Sequence, residues 1–296
     1  MKTYVITGAT GHTGKPIALG LLEHGHKVRI ISRDQHKAKE LTDKGAELYH
    51  GDTRDIALMQ KAFNGADAAY LMVPFDMAAE DYTAMQVSHV NAMTEALKGS
   101  SVRHLVTLSS IGAHLSEGAG VVQGLERMEK SLNSLQGMNI RHLRASYFME
   151  NTLAQAGTIK FMGAMASPVL GDLKVPMVAT KDIAAVGLKR LLELGFTGSS
   201  YEYILGQRDV SYNEIAQIYG NLIGIPDLKY ITAGYEQAVQ AMMGMGLGAS
   251  VSNKLVEFVK SVNEGLVLND AVRTPENTTP TSIEEFGQVF KMVYEG

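Results

Sequence analysis

The opening stretch TYVITGATGHTGKPIALGLLEHGHKVRIISRD, residues 3–34, constrains this chain more than any other. A short β-branched run enters Gly8-Ala9-Thr10-Gly11-His12-Thr13-Gly14, a helical pattern follows through Leu22, and a second β-branched run begins at Val28. Strand, glycine loop, helix and strand in about 30 residues predict a βαβ unit whose helix start faces the diphosphate of a dinucleotide. Gly8 serves the turn off the strand, Gly11 a close backbone approach to pyrophosphate, and Gly14 tight helix–strand packing. Thr10, His12 and Thr13 complete the cofactor-binding loop, His12 through its backbone more than its imidazole. The loop is no nucleoside-triphosphate P-loop, because Gly14-Lys15 is followed by Pro16.

Strand and helix patterns alternate through the first half, which predicts a doubly wound parallel Rossmann sheet of the α/β class. Strands read at 4–6, 28–31, 47–49, 69–72, 105–108 and 140–143, with helices near 15–24, 36–44, 55–63, 80–98 and 121–135. The expected division is a dinucleotide-binding domain over 1–150 and a smaller C-terminal α+β substrate cover over 151–296, with segments near 177–206 returning to the sheet. In the cover, residues 151–176 read as irregular or loosely helical, and the glycine- and methionine-rich 241–252 as a mobile flap or a surface loop. Ser211 and Ser282 precede glutamates at the spacing of capping boxes and mark helix starts.

Coenzyme choice falls to the end of the second strand. Arg33 stands 19 residues beyond Gly14 (33 − 14), and a guanidinium suits a 2′-phosphate, so NADP(H) is expected over NAD. Asp34 would serve NAD if the register slipped by one, and Lys37 offers a second positive charge. Asp52 and Thr53 end the third strand, placed to bond an adenine amine or to cap the next helix. Leu71, Met72 and Val73 line the adenosine and ribose path, and Ser109 and Ser110 lie beneath the nicotinamide.

Composition excludes several alternatives. There is no cysteine, hence no disulfide, thiolate metal site or cysteine nucleophile. The nine histidines show no metal-ligand spacing, so no metal is expected. A net charge of −4 from 27 basic and 31 acidic residues argues against a nucleic-acid surface. No apolar run is long enough to span a bilayer. The first residues lack the pattern of a secretory leader, so a cytoplasmic address is expected.

GATGHTG, the basic Ser32-Arg33, the Gly51-Asp52 pair, LSSIGA after the fifth strand and LRASYFMEN at 143–151 together resemble the NmrA-like family of atypical short-chain dehydrogenase/reductases, as do VPMVATKDIAAVGLKRLL and NTTPTSIEEF further on. The resemblance implies a nicotinamide cleft between the two parts. It also implies two functional branches, NADPH-dependent reductases such as those acting on quinones, and regulators that bind the coenzyme without turnover. Ser110 matches the substrate-orienting serine of ordinary short-chain dehydrogenases. Their tyrosine–lysine acid/base pair is missing: no tyrosine lies between Tyr82 and Tyr147, and the corresponding positions hold Gln123 and Arg127. Neither group titrates usefully at neutral pH. Reduction of a small apolar acceptor, with a quinone as the expected class, does not need that pair, and Tyr147 is then the nearest phenol for a substrate oxygen. The alternative is a redox-sensing protein with a regulatory protein partner; self-association as a homodimer is left open.

Overall fold

The computed structural model describes all of residues 1–296. The Rossmann part runs β1 (Thr3–Ile6), α1 (Gly14–Glu23), β2 (Lys27–Ser32), α2 (Gln35–Asp43), β3 (Glu47–His50), α3 (Ile56–Phe63), β4 (Ala68–Leu71), α4 (Tyr82–Leu97), β5 (His104–Ser110), α5 (Gln123–Asn133) and β6 (Asn139–Ala145). Beyond it come β7 (Tyr147–Phe148), α6 (Gln155–Met162), β8 (Ala164–Ser167), β9 (Val175–Val178), α7 (Thr180–Glu193) and β10 (Ser199–Ile204). The chain ends with β11 (Asp209–Val210), α8 (Tyr212–Ile223), β12 (Lys229–Thr232), α9 (Tyr235–Gly244), α10 (Ala249–Asn263) and α11 (Ile283–Glu295).

Seven strands form one sheet in the order β10-β6-β5-β4-β1-β2-β3, every pairing parallel. Both faces are covered, which is why strands such as Ala68–Leu71 are buried throughout instead of alternating with polar residues. One face packs Tyr4, Ile6, Val28 and Val106 against α1 and α7, with Ile17, Leu21 and Ile183 among the contacts. The other packs Val5, Ala69, Leu105 and Ile140 against α3, α4 and α5. The winding reverses between β1 and β4, so the chain leaves the carboxyl ends of these paired strands toward opposite faces of the sheet and a crevice opens there.

The fold is therefore the expected doubly wound sheet with a smaller α+β cover. β10 joins the main sheet beside β6, while β9 pairs with β7 and β11, and β8 with β12, in two small sheets. A separate core lies beneath the cover and includes Met149, Met177, Tyr212, Tyr219, Phe258 and Phe290.

One reading of the cover holds in part and another needs correction. Residues 151–162 are helical, a 3-10 turn at Met149–Ala154 leading into α6, whereas 164–167 form β8. Residues 241–252 are the last turn of α9, a short turn at 245–248 and the first turn of α10, neither a flap nor a loose loop. Gly248 donates its amide to the Met77 carbonyl at 2.8 Å and the Ser250 hydroxyl accepts from the Tyr82 amide at 3.0 Å, tying the turn to the chain that follows β4. Its glycines and methionines obscured these long-range bonds. Ser211 and Ser282 do cap α8 and α11, but Glu214 and Glu285 pair with Arg208 and Lys181.

Candidate functional site

At the crevice, β1 turns sharply at Gly8, whose φ of +62° is costly for a residue with a side chain. A Cβ there would lie 2.1 Å from the Met72 sulfur, and one at Gly14 would lie 2.3 Å from the Gly8 carbonyl oxygen. The start of α1 is thus pressed against the turn without room for a methyl group. Gly11 and Lys15 donate to Gly8 and Gly11, whereas the amides of His12, Thr13 and Gly14 have no acceptor within the protein. Three unpaired donors at a helix start suit a diphosphate, so the residues present fit a dinucleotide. Thr13 is buried and its hydroxyl accepts from Tyr70 at 3.1 Å, which leaves its amide for the loop. Thr7 locks the strand ends together, donating its amide to the Tyr70 carbonyl and accepting the Met72 amide at 2.9 Å. Thr10 and Met72 are half-buried; Leu71 and Val73 are core side chains.

Four residues gather at the ends of β2 and β3. Arg33 is largely exposed and its Nη1 lies 3.5 Å from Asp52 Oδ2. Asp52 accepts the amide and Nε of Arg54 on Oδ1, at 2.8 and 2.9 Å, and its Nη2 on Oδ2 at 2.9 Å. These bonds hold its carboxyl down at about 2. Arg54 escaped the sequence reading, although its place two residues after Asp52 was a usable signal. Thr53 Oγ1 sits 2.7 Å from Nδ1 of His89, a buried imidazole whose desolvation lowers its pKa. Neither Asp52 nor Thr53 caps α3; Asp55 does, accepting the Leu58 amide. Asp34 caps α2 through the Lys37 amide, so its carboxylate is already engaged, and the exposed Lys37 ammonium lies 3.9 Å from it.

Ser109 and Ser110 diverge. Ser109 is buried and donates to Glu129 at 2.5 Å; Arg144 grips the same carboxylate at 3.0 and 2.7 Å. Ser110 pairs across the sheet with Ala145, two residues before Tyr147, and its hydroxyl has no partner within the protein. Tyr147 is half-buried, and burial raises its pKa, opposed by the Tyr212 hydroxyl and Asn151. It borders an apolar cavity of about 10 Å³ with Ile111, Val175, Tyr212, Phe258 and Val262. Gln123 donates to the Ser116 carbonyl at 2.6 Å, so the position of the missing acid is structural here.

A glycine turn with unpaired amides at the reversal of a doubly wound sheet defines the class: an NAD(P)-binding Rossmann fold with a C-terminal cover. The NmrA-like family model matches residues 1–286, and the chain belongs to that family. A NAD(P)H azoreductase of Xenophilus azovorans is 28% identical over 254 residues, 86% of this chain and 85% of that one. Among solved structures, an NADPH-dependent quinone oxidoreductase from Escherichia coli complexed with NADPH superposes with a TM-score of 0.80 at 21% identity, covering 97% of this chain and 99% of its own. NmrA, a negative transcriptional regulator solved with NAD, superposes at 0.75 with 16% identity, covering 99% and 97%. No helix is long and apolar enough to cross a membrane, and no cluster of metal-ligating side chains occurs.

Proposed function

We propose that the protein is an NADPH-dependent reductase of a small apolar acceptor, with quinones as the substrate class. The observation that carries the reading is the loop at the β1–β4 crevice, three unpaired amides with an exposed guanidinium one strand away. Residues 1–150 hold the coenzyme and 151–296 cover the acceptor. Gly8, Thr10, Gly11, His12, Thr13 and Gly14 take the diphosphate. Arg33 and Lys37 meet the 2′-phosphate, Asp52 and Thr53 the adenine, and Met72 the ribose path with Leu71 and Val73 behind it. Bound NADPH supplies a hydride. Tyr147, kept protonated by burial, donates a hydrogen bond to the acceptor oxygen, and Ser110 orients it; Ser109 contributes only backbone. A delocalised hydroquinone anion takes its proton from solvent or a weak hydroxyl, which removes the need for a tyrosine–lysine pair. The chain's similarity to the azoreductase and the apolar walls around Tyr147 support the reading, to which a cytoplasmic address also belongs.

NADPH oxidation, followed by absorbance against a panel of quinones, dyes and aldehydes, tests it. Turnover with quinones is expected. Tight NADPH binding without turnover on any acceptor overturns the reductase and favours the second reading, a coenzyme-occupancy sensor with a protein partner. The near-filled cavity at Tyr147 and the missing acid/base pair favour that alternative.

A further inference from the structure

Asp52 sits between two guanidiniums and treats them differently. Arg54 takes both of its oxygens in a fork, while Arg33 remains 3.5 Å away, an ion pair without a hydrogen bond. The Arg33 backbone is held from the other side, its carbonyl 3.2 Å from His50 Nε2, so the residue is placed while its guanidinium stays 67% exposed. Asp52 carries its full charge at any physiological pH, since the Arg54 hydrogen bonds hold its carboxyl near 2. This creates a conflict for the proposed coenzyme. A 2′-phosphate meeting Arg33 brings a second anion within a few ångströms of the carboxylate. An unneutralised Asp52 would both repel the phosphate and compete for Arg33.

We propose that Arg54 is a positioning residue for coenzyme choice: by occupying both Asp52 oxygens it cancels that charge and releases Arg33 to bind the 2′-phosphate. The inference rests on the NADPH reading and adds the residue that makes Arg33 available. The other charges at this edge do not substitute. Lys37 lies against Asp34, and Asp34 is spent on the cap of α2. His89 Nδ1 lies 3.9 Å from Asp52 Oδ1, but that nitrogen is engaged by the Thr53 hydroxyl at 2.7 Å, and desolvation of the buried ring lowers its pKa.

The test is the ratio of NADH to NADPH dissociation constants in wild type, R54M, D52N and the R54M/D52N pair. A contact of Asp52 with adenine affects both coenzymes alike and cancels in the ratio. Wild type is expected to prefer NADPH, and R54M to reduce that preference about tenfold, mainly by weakening NADPH. D52N should keep the preference, and the double variant should recover most of it, because Arg33 has no carboxylate left to capture it. An unchanged ratio in R54M, or no recovery in the pair, overturns the role of Arg54 while the NADPH reading stands. Wild type that binds no coenzyme, or does not prefer NADPH, overturns both. A merely structural Arg54 would lower both affinities together, and removing its partner would not rescue the loss.

Discussion

Arg33 projects into solvent with 67% of its side chain exposed, so its replacement removes a charge without disturbing the core. Arg33→Ala is expected to weaken NADPH binding roughly tenfold or more, the scale of a charge-assisted hydrogen bond, with little change for NADH. Equal losses in paired titrations would contradict the assignment. His142 is a second residue with a sharp expectation. Its Nδ1 lies 2.8 Å from the Thr107 hydroxyl and its Nε2 is 3.0 Å from Asn133 Oδ1, a pattern met by a neutral ring carrying its proton on Nε2. Burial pushes its pKa down to about 4 from an ordinary 6.5. The unfolded chain therefore takes up the proton first. This contribution to stability is whole above about pH 6.5 and lost as pH falls toward 4, with a size on the order of 3 kcal/mol. Urea unfolding at pH 7 and pH 5 should show a smaller loss on acidification in His142→Gln than in wild type, and equal losses would refute the account.

Elements meet at contacts that single residues control. The amino end of α1 touches the turn after β1 through Gly14, where an added methyl would strike the Gly8 carbonyl and the Ala9 Cα, both backbone atoms that cannot give way. Gly14→Ala should cost about 2–3 kcal/mol in unfolding experiments and weaken either coenzyme more than tenfold, since the helix start and its free amides move together. Gly157 in α6 provides the contrast, because a Cβ there meets nothing within 4 Å. Gly157→Ala is expected to raise stability by about 0.5–1 kcal/mol through the lower entropy of the unfolded chain. A neutral Gly14→Ala would remove the argument for close packing at the loop.

Across the whole molecule, the cover decides what can approach Tyr147. Its cavity, at about 10 Å³, is near the size of a single water, and Val262 and Phe258 of α10 form one wall. A ring-sized acceptor therefore requires α10 to shift or the wall to be thinned. Val262→Ala should cost about 2 kcal/mol of stability, lower the KM for bulky quinones and leave NADPH affinity unchanged. Should KM stay constant across a series of quinone sizes, the acceptor does not use this cavity.

The Rossmann half is legible in the residue pattern alone, because strand and helix periods are local and glycine reports a local backbone demand. Gly8 and Gly14 could be placed from spacing, and Arg33 from its distance to Gly14. The rest depends on partners far apart in the chain: Ser109 turns inward because Glu129 and Arg144 await it, and the α9–α10 junction is tied down at Gly248 and Ser250 by Met77 and Tyr82. Arg54 shows the boundary between the two. Its charge and position can be read in one dimension, but its hold on Asp52 beside Arg33 exists only once β2 and β3 lie side by side. Period and spacing encode what a segment does with its own neighbours, whereas a side chain's partner is chosen by packing.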